Sequence, residues 1–170
     1  GKYKLRIVKV GTKDTATHLF EIFWEDMPIS FRNPRYLVES MYTILTDDEF
    51  DAVNSGSESE KRRHVIEYWQ KKYPSGESVY NTTMAEFYRR VDYALFNFQG
   101  IAEPDGAKSE RGKIYILHGA PTTVEKNIPA TSGQAQEIWT YSNKVKKQFT
   151  FELNTSGVYK LKEIKDLAVK

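Results

Sequence analysis

Along the first thirty residues, apolar and polar positions alternate. Tyr3, Leu5 and Ile7 interleave with Lys4 and Arg6; Phe20, Ile22 and Trp24 interleave with Leu19, Glu21 and Phe23. A two-residue period places successive side chains on opposite faces of a strand. The pattern therefore predicts a β-hairpin, about 2–10 and 17–25, turning through the polar stretch from Gly11 to Thr15. Its second strand is apolar on both faces, and two strands alone are marginal in water. Such a hairpin is expected to pack against something.

The period then lengthens. Pro34 suits a first helical turn, and Tyr36, Leu37, Met41, Ile44 and Leu45 recur at helical spacing. Thr46-Asp-Asp-Glu49 is a capping box, so helix is predicted across about 34–54. Ser57-Glu-Ser-Glu60 is a second box, opening a helix at about 58–73 with Val65, Ile66, Trp69 and Tyr73 inward, closed by Pro74. A third helix, about 80–98, carries Met84, Phe87, Tyr88, Val91, Ala94, Leu95 and Phe98 as its stripe. Beyond a loop at 101–112, Lys113-Ile-Tyr-Ile-Leu-His118 is apolar on both faces, which predicts a central strand. Residues 122–133 read as irregular or as one helical turn. Strands at about 136–142, 148–153 and 158–163 complete an antiparallel meander with 113–118. The rings of Trp139, Tyr141, Phe149, Phe151 and Tyr159 are then hidden beneath the helices of 58–98, opposite Thr140, Glu152, Lys160 and Lys162. The fold class is α+β, with helices on one face of a C-terminal antiparallel sheet. Two units are read: the hairpin, 1–33, and an α+β domain, 34–170.

Composition narrows the classes. Aromatic residues make up 14% of the chain and the net charge is only +2, which excludes a disordered segment and gives little pull on nucleic acid. Seven lysines between Trp139 and Lys170, against three acids, read as the wet face and edges of a sheet rather than a phosphate-binding surface. The absence of cysteine rules out disulfides, thiolate ligands and thiol nucleophiles. No apolar run is long enough to span a membrane. The start, Gly-Lys-Tyr-Lys, reads as that of a chain cut from something longer.

Few residues suggest chemistry. Ser109, Glu110 and Arg111 stand together before the predicted central strand. They either grip a polar ligand or bond local backbone, with Arg111 pairing to a helix carboxylate such as Asp92. His118 stands at that strand's end, where active-site residues often lie, but no nucleophile or acid is near it in sequence. His18 and His64 show no ligand spacing, and no metal or cofactor is expected. Glu137 and Glu152 form a conceivable glycosidase pair, as any two of many acids would. The sheet aromatics are either a stacking platform or the core; the helices' need for a partner favours the core.

The order of several elements carries a resemblance. These are Leu45-Thr-Asp-Asp-Glu-Phe50, Glu60-Lys-Arg-Arg-His-Val-Ile-Glu-Tyr-Trp69, Tyr88-Arg-Arg-Val-Asp-Tyr-Ala94, Arg111-Gly-Lys-Ile-Tyr-Ile-Leu-His-Gly-Ala-Pro121, Gln136-Glu-Ile-Trp-Thr-Tyr141 and Phe149-Thr-Phe151. Over about Leu45 to Leu161 the chain resembles the GWxTD-domain family of bacterial proteins. Where that family has Gly-Trp-x-Thr-Asp, this chain has Gly106-Ala-Lys-Ser-Glu110: hydroxyl and carboxylate stay, the indole is lost. Gly106, Ala107, Ser109 and Glu110 are thus the motif-equivalent positions. The resemblance implies an exported, extracytoplasmic protein of the bacterial envelope, periplasmic or outer-membrane associated, with the hairpin as the remnant of a β-rich upstream region. It implies no reaction, because the family's activity is not established. The expected function is a non-catalytic interaction or structural module with a protein partner in the envelope, using a groove between the helices and the 106–112 loop or an exposed sheet edge. Nucleic acid is not an expected partner. The alternative is a hydrolase or carbohydrate-binding domain whose acids converge near that loop, for instance with Glu110 and His118 sharing a pocket.

Overall fold

A computed structural model gives the protein's fold and describes residues 2–21, 24–76, 80–128 and 133–168. Positions 22 and 23 of the predicted second strand, and Val79 before the third helix, lie outside the described residues. The hairpin is present as β1 (Lys2–Val8) and β2 (Thr15–Glu21), in antiparallel register from Lys2↔Glu21 to Val8↔Thr15. Tyr3 stacks on Phe20 at 5.6 Å across the pair, and Lys2 meets Glu21 at 3.4 Å. The expected packing is not there: every residue of both strands is exposed, Leu19 to 80%. Among the described residues nothing covers either face.

The predicted helix at 34–54 is broken into short pieces. These are α1 (Ile29–Arg32), α2 (Pro34–Glu39), a 3-10 turn (Ser40–Thr43) and α3 (Asp47–Val53). Asn33 caps α2 by accepting from the Arg35 and Tyr36 N–H groups, and Thr46 and Glu49 close the predicted capping box on α3. Helix α4 (Glu58–Lys72) starts at the Ser57–Glu60 box. Only Val65 and Trp69 of its stripe are buried; Ile66 and Tyr73 are exposed. Helix α5 (Thr82–Asn97) is the spine, with Met84, Phe87, Tyr88, Val91, Ala94 and Leu95 all buried. Asn81 joins the two helices. Its Oδ1 accepts from Met84 N–H as an N-cap, while its Nδ2 donates to the Trp69 and Tyr73 carbonyls at 3.3 and 2.8 Å. Such a cap is worth about 1 kcal/mol.

The segment predicted as a central strand, 113–118, is helical. Helix α6 runs Glu110–His118, capped by Ser109 and ended at Gly119 with φ +76°. A short run that is apolar all round reads the same whether it is a strand buried on both faces or a helix buried on most sides. Here the second holds: of nine residues, only Lys113 and Leu117, one turn apart, are exposed.

The fourth strand comes instead from the stretch read as irregular. The sheet is β3 (Thr123–Asn127), β4 (Gln136–Tyr141), β5 (Lys147–Leu153) and β6 (Tyr159–Asp166), antiparallel in chain order, with an irregularity of register between Thr150 and Phe151. β3 gave no signal because all its residues are exposed and only one, Val124, is strongly apolar. On the inner face Trp139, Tyr141, Phe149 and Phe151 are buried as expected. Their cover differs from the expectation. Trp139 meets Phe98 at 5.2 Å and Tyr115 at 6.3 Å, and Phe149 meets His118 at 5.7 Å, so the end of α5 and the whole of α6 form the lid. The architecture is α+β: helices on one face of a four-stranded antiparallel sheet, with a hairpin standing off the core.

Candidate functional site

The singled-out residues cluster at the start of α6, and the local chain explains why. Ser109 is the N-cap. Its hydroxyl accepts from Gly112 N–H at 2.9 Å and donates to the Gly106 carbonyl at 2.7 Å. The two glycines are close-approach positions. A Cβ on Gly106 would lie 2.1 Å from the Ala94 carbonyl oxygen of α5, and one on Gly112 would lie 2.0 Å from the Gly106 carbonyl oxygen. With hydrogen in place of Cβ, the first turn of α6 settles on the 106–107 backbone, and that backbone settles on the last turn of α5.

Glu110 ties that turn to the sheet. Its carboxylate accepts the backbone N–H of Leu161 in β6 and lies 3.7 Å from the Lys160 ammonium. Arg111 reaches further in. Its guanidinium lies over the Tyr159 ring at 4.1 Å and the Phe98 ring at 5.3 Å, and donates to Glu137 at 2.8 Å. The other Glu137 oxygen accepts from the Trp139 indole N–H at 2.9 Å. With side chains only 14% and 7% exposed, Arg111 and Glu137 form an ion pair nearly out of water. Asp92, the partner expected for Arg111, is engaged elsewhere. It accepts from Ile29 and Ser30 N–H at 2.7 and 2.8 Å, capping α1.

His118 is not part of this cluster. It ends α6, about 12 Å of helical rise from Glu110, so the two share no pocket. Its ring stacks on Phe149 and meets Tyr141 at a steep angle. Burial holds its pKa below the usual imidazole value, and the Arg90 and Lys147 charges push the same way. The Glu137–Glu152 pair also dissolves. Glu137 faces inward with its cross-strand partner Phe151, whereas Glu152 pairs with Gln136 on the opposite face, near Lys162. Two carboxylates on opposite sides of a sheet cannot flank one bond.

The hydroxyl and carboxylates of the cluster thus hold α5, α6 and the sheet together. The family model described as the GWxTD domain matches residues 4–166. The chain belongs to the GWxTD-domain family. The match takes in the hairpin as well as the helices and the sheet. No curated protein and no solved structure matches the chain. In this member of the GWxTD family Gly106, Ser109 and Glu110 act mechanically: glycine for close approach, hydroxyl for the helix cap, acid for the sheet strand.

Glu137 and Trp139 are the partners that sequence reasoning missed. A signal existed, for Glu137 occupies an inward position of the strand whose next inward positions are Trp139 and Tyr141. A carboxylate placed there demands a buried cation. Outside the ion pair a groove of about 690 Å³ opens between α5, α6 and β3, lined by Tyr93, Phe98, Tyr115, Val124 and Trp139 with Arg111 and Glu137 among its walls. Tyr93 and Tyr115 stack at 4.4 Å beside it. Among the described residues no three His, Asp or Glu side chains are grouped to hold a metal ion, and no helix is long and apolar enough to cross a membrane.

Proposed function

We propose that this chain is a non-catalytic protein-interaction module of an exported bacterial envelope protein, and that a partner polypeptide docks on the outer edge of β3. The observation that carries this is the difference between the two edges of the sheet. At β6 the backbone N–H of Leu161 is bound to Glu110, and Lys160, Lys162 and Lys165 line the strand, charges of the kind that discourage pairing. At β3 only one side is paired, to β4, and the strand is exposed throughout. The aromatic groove lies alongside, so an added strand would gain main-chain hydrogen bonds from the edge and a pocket for its side chains. The hairpin, in this reading, belongs to a β-rich part of the same exported protein, and neither nucleic acid nor a bilayer is the ligand.

A photo-crosslinking amino acid at Val124, in cells exporting the full protein, tests the docking. Capture of one envelope polypeptide from Val124 and not from Glu67 on the exposed side of α4 is expected, with loss of capture in Lys126→Pro, which blunts the edge. Equal capture from both positions would count against the edge. Turnover in a hydrolase screen that disappears in Glu110→Gln while melting is unchanged would overturn the non-catalytic reading.

A further inference from the structure

Given a strand docked on β3, as proposed above, the sheet dictates which side chains that strand must present. Two rows of inward-facing residues cross the sheet and stop at this edge. One runs Phe149, Trp139, Val124; the other runs Phe151, Glu137, Lys126. The first row is apolar throughout, and its burial fails only at the edge: Phe149 and Trp139 are buried, Val124 is 46% exposed. Tyr93, also exposed, and its stacking partner Tyr115 stand in the walls of the same groove as Val124. The second row carries charge. Glu137 gives its carboxylate to Arg111 and to the Trp139 indole, and its cross-strand neighbour Lys126 makes no ion pair among the described residues. The Arg111 Nε is likewise buried without an acceptor. One carboxylate thus stands among two cations, and the groove is short of negative charge.

We propose that the docking strand runs antiparallel to β3 and carries an acid and an aromatic residue two positions apart, the acid first. Every pair in this sheet is antiparallel, and one more such strand continues both rows, with one residue opposite Lys126 and another opposite Val124. Residues two apart share a face of a strand. Chain direction sets the order, because an antiparallel strand passes Lys126 before it passes Val124. Opposite Lys126, a carboxylate supplies the counter-charge that the row lacks. Opposite Val124, a ring covers the valine and reaches the Tyr93–Tyr115 pair, where a third ring gains edge or offset contacts. The residue between them faces the other way, alongside Glu125 on the exposed side of the sheet, so a polar or basic residue serves there. The partner segment is then an aspartate or glutamate, a polar residue, and a phenylalanine, tyrosine or tryptophan.

Amide NMR titration of the full chain with short threonine-rich peptides tests this. A peptide with glutamate two positions ahead of phenylalanine should shift the amides of 123–127 and the ring signals of Tyr93 and Tyr115. Glutamine in place of the glutamate should weaken binding about two- to fivefold, and alanine in place of the phenylalanine more than about tenfold. The reversed order should bind no better than the glutamine peptide. In Lys126→Glu, a change at an exposed position, the preference should invert, with a lysine peptide binding more tightly than the glutamate one. Equal affinity for the glutamate, glutamine and lysine peptides, with the 123–127 amides still shifting, would overturn the acid-and-ring rule and leave the docking edge standing. A preference for the reversed order would overturn the rule in the same way. No shift at 123–127 with any peptide up to millimolar concentration, together with no crosslink from Val124, would remove the docking edge and the rule with it.

Discussion

The hairpin and the C-terminal sheet are both antiparallel, and both pair aromatic rings across neighbouring strands. In the hairpin Tyr3 lies on Phe20 at 5.6 Å; in the sheet Trp139 meets Phe151 at 5.0 Å. Yet Phe20 is 46% exposed and Trp139 2%. The difference lies in the layer above. A strand's alternation produces an apolar face, but the face leaves water only when another element is placed on it. In the sheet that element is α6, held by Ser109, Glu110 and Arg111. In the hairpin no described residue plays the part. The cluster at the start of α6 therefore matters to the sheet as clamp matters to lid.

Substitutions can break or sharpen the contrast. The largest effect is expected from Trp139→Ala, which removes a buried indole and strands part of Glu137; about 3–5 kcal/mol should be lost by urea denaturation. Arg111→Ala should also cost about 3–5 kcal/mol, because Glu137 is left charged and nearly dry. The paired change Arg111→Met with Glu137→Leu should recover most of it. Gly106→Ala should cost about 1–3 kcal/mol through its clash with α5. Gly11, in the hairpin turn, has φ +83° and open space around it. Asparagine tolerates that backbone region, so Gly11→Asn should fold with little loss, whereas Gly106→Asn should lower the melting midpoint more than Gly106→Ala does.

Changes in the hairpin should be milder. Phe20→Ala should cost less than about 1 kcal/mol, the worth of an exposed cross-strand pair; a loss as large as that of Trp139→Ala would erase the distinction. Lys2→Ala, which breaks the exposed Lys2–Glu21 pair, should stay within about 1 kcal/mol. The smallest effect is one of pH. Because His118 has a depressed folded-state pKa, the unfolded chain binds its proton first as pH falls. Its stabilising share is complete above the unfolded value of about 6.5 and is lost as pH falls through the lower folded value. Stability measured across this range should fall less steeply in His118→Phe.

Much of the chain is readable from its residues for local reasons. The two capping boxes, the helix starts near Pro34 and Asn81, and the alternation of Trp139, Tyr141, Phe149 and Phe151 all lie within a few residues of what they predict. What could not be read came from distance in sequence. Val65 and Trp69 are buried while Ile66 of the same stripe is exposed, because the width of the covered face depends on α2 and α5. Arg111 pairs with Glu137, 26 residues away, rather than with Asp92, since Asp92 is already engaged by two N–H groups of α1.

The sequence by itself determined the α+β class, the hairpin, the boundaries of α4 and α5 and the inner face of the sheet, because caps and periodicity act through neighbouring backbone groups. Only the tertiary structure decided that 110–118 is a helix, that 123–127 is a strand and that Ser109, Glu110 and Arg111 form a clamp. A nine-residue segment buried on most sides carries no period of its own, and an exposed edge strand is specified by the hydrogen bonds its neighbour offers. Where the surroundings supply the partner, the partner settles the conformation.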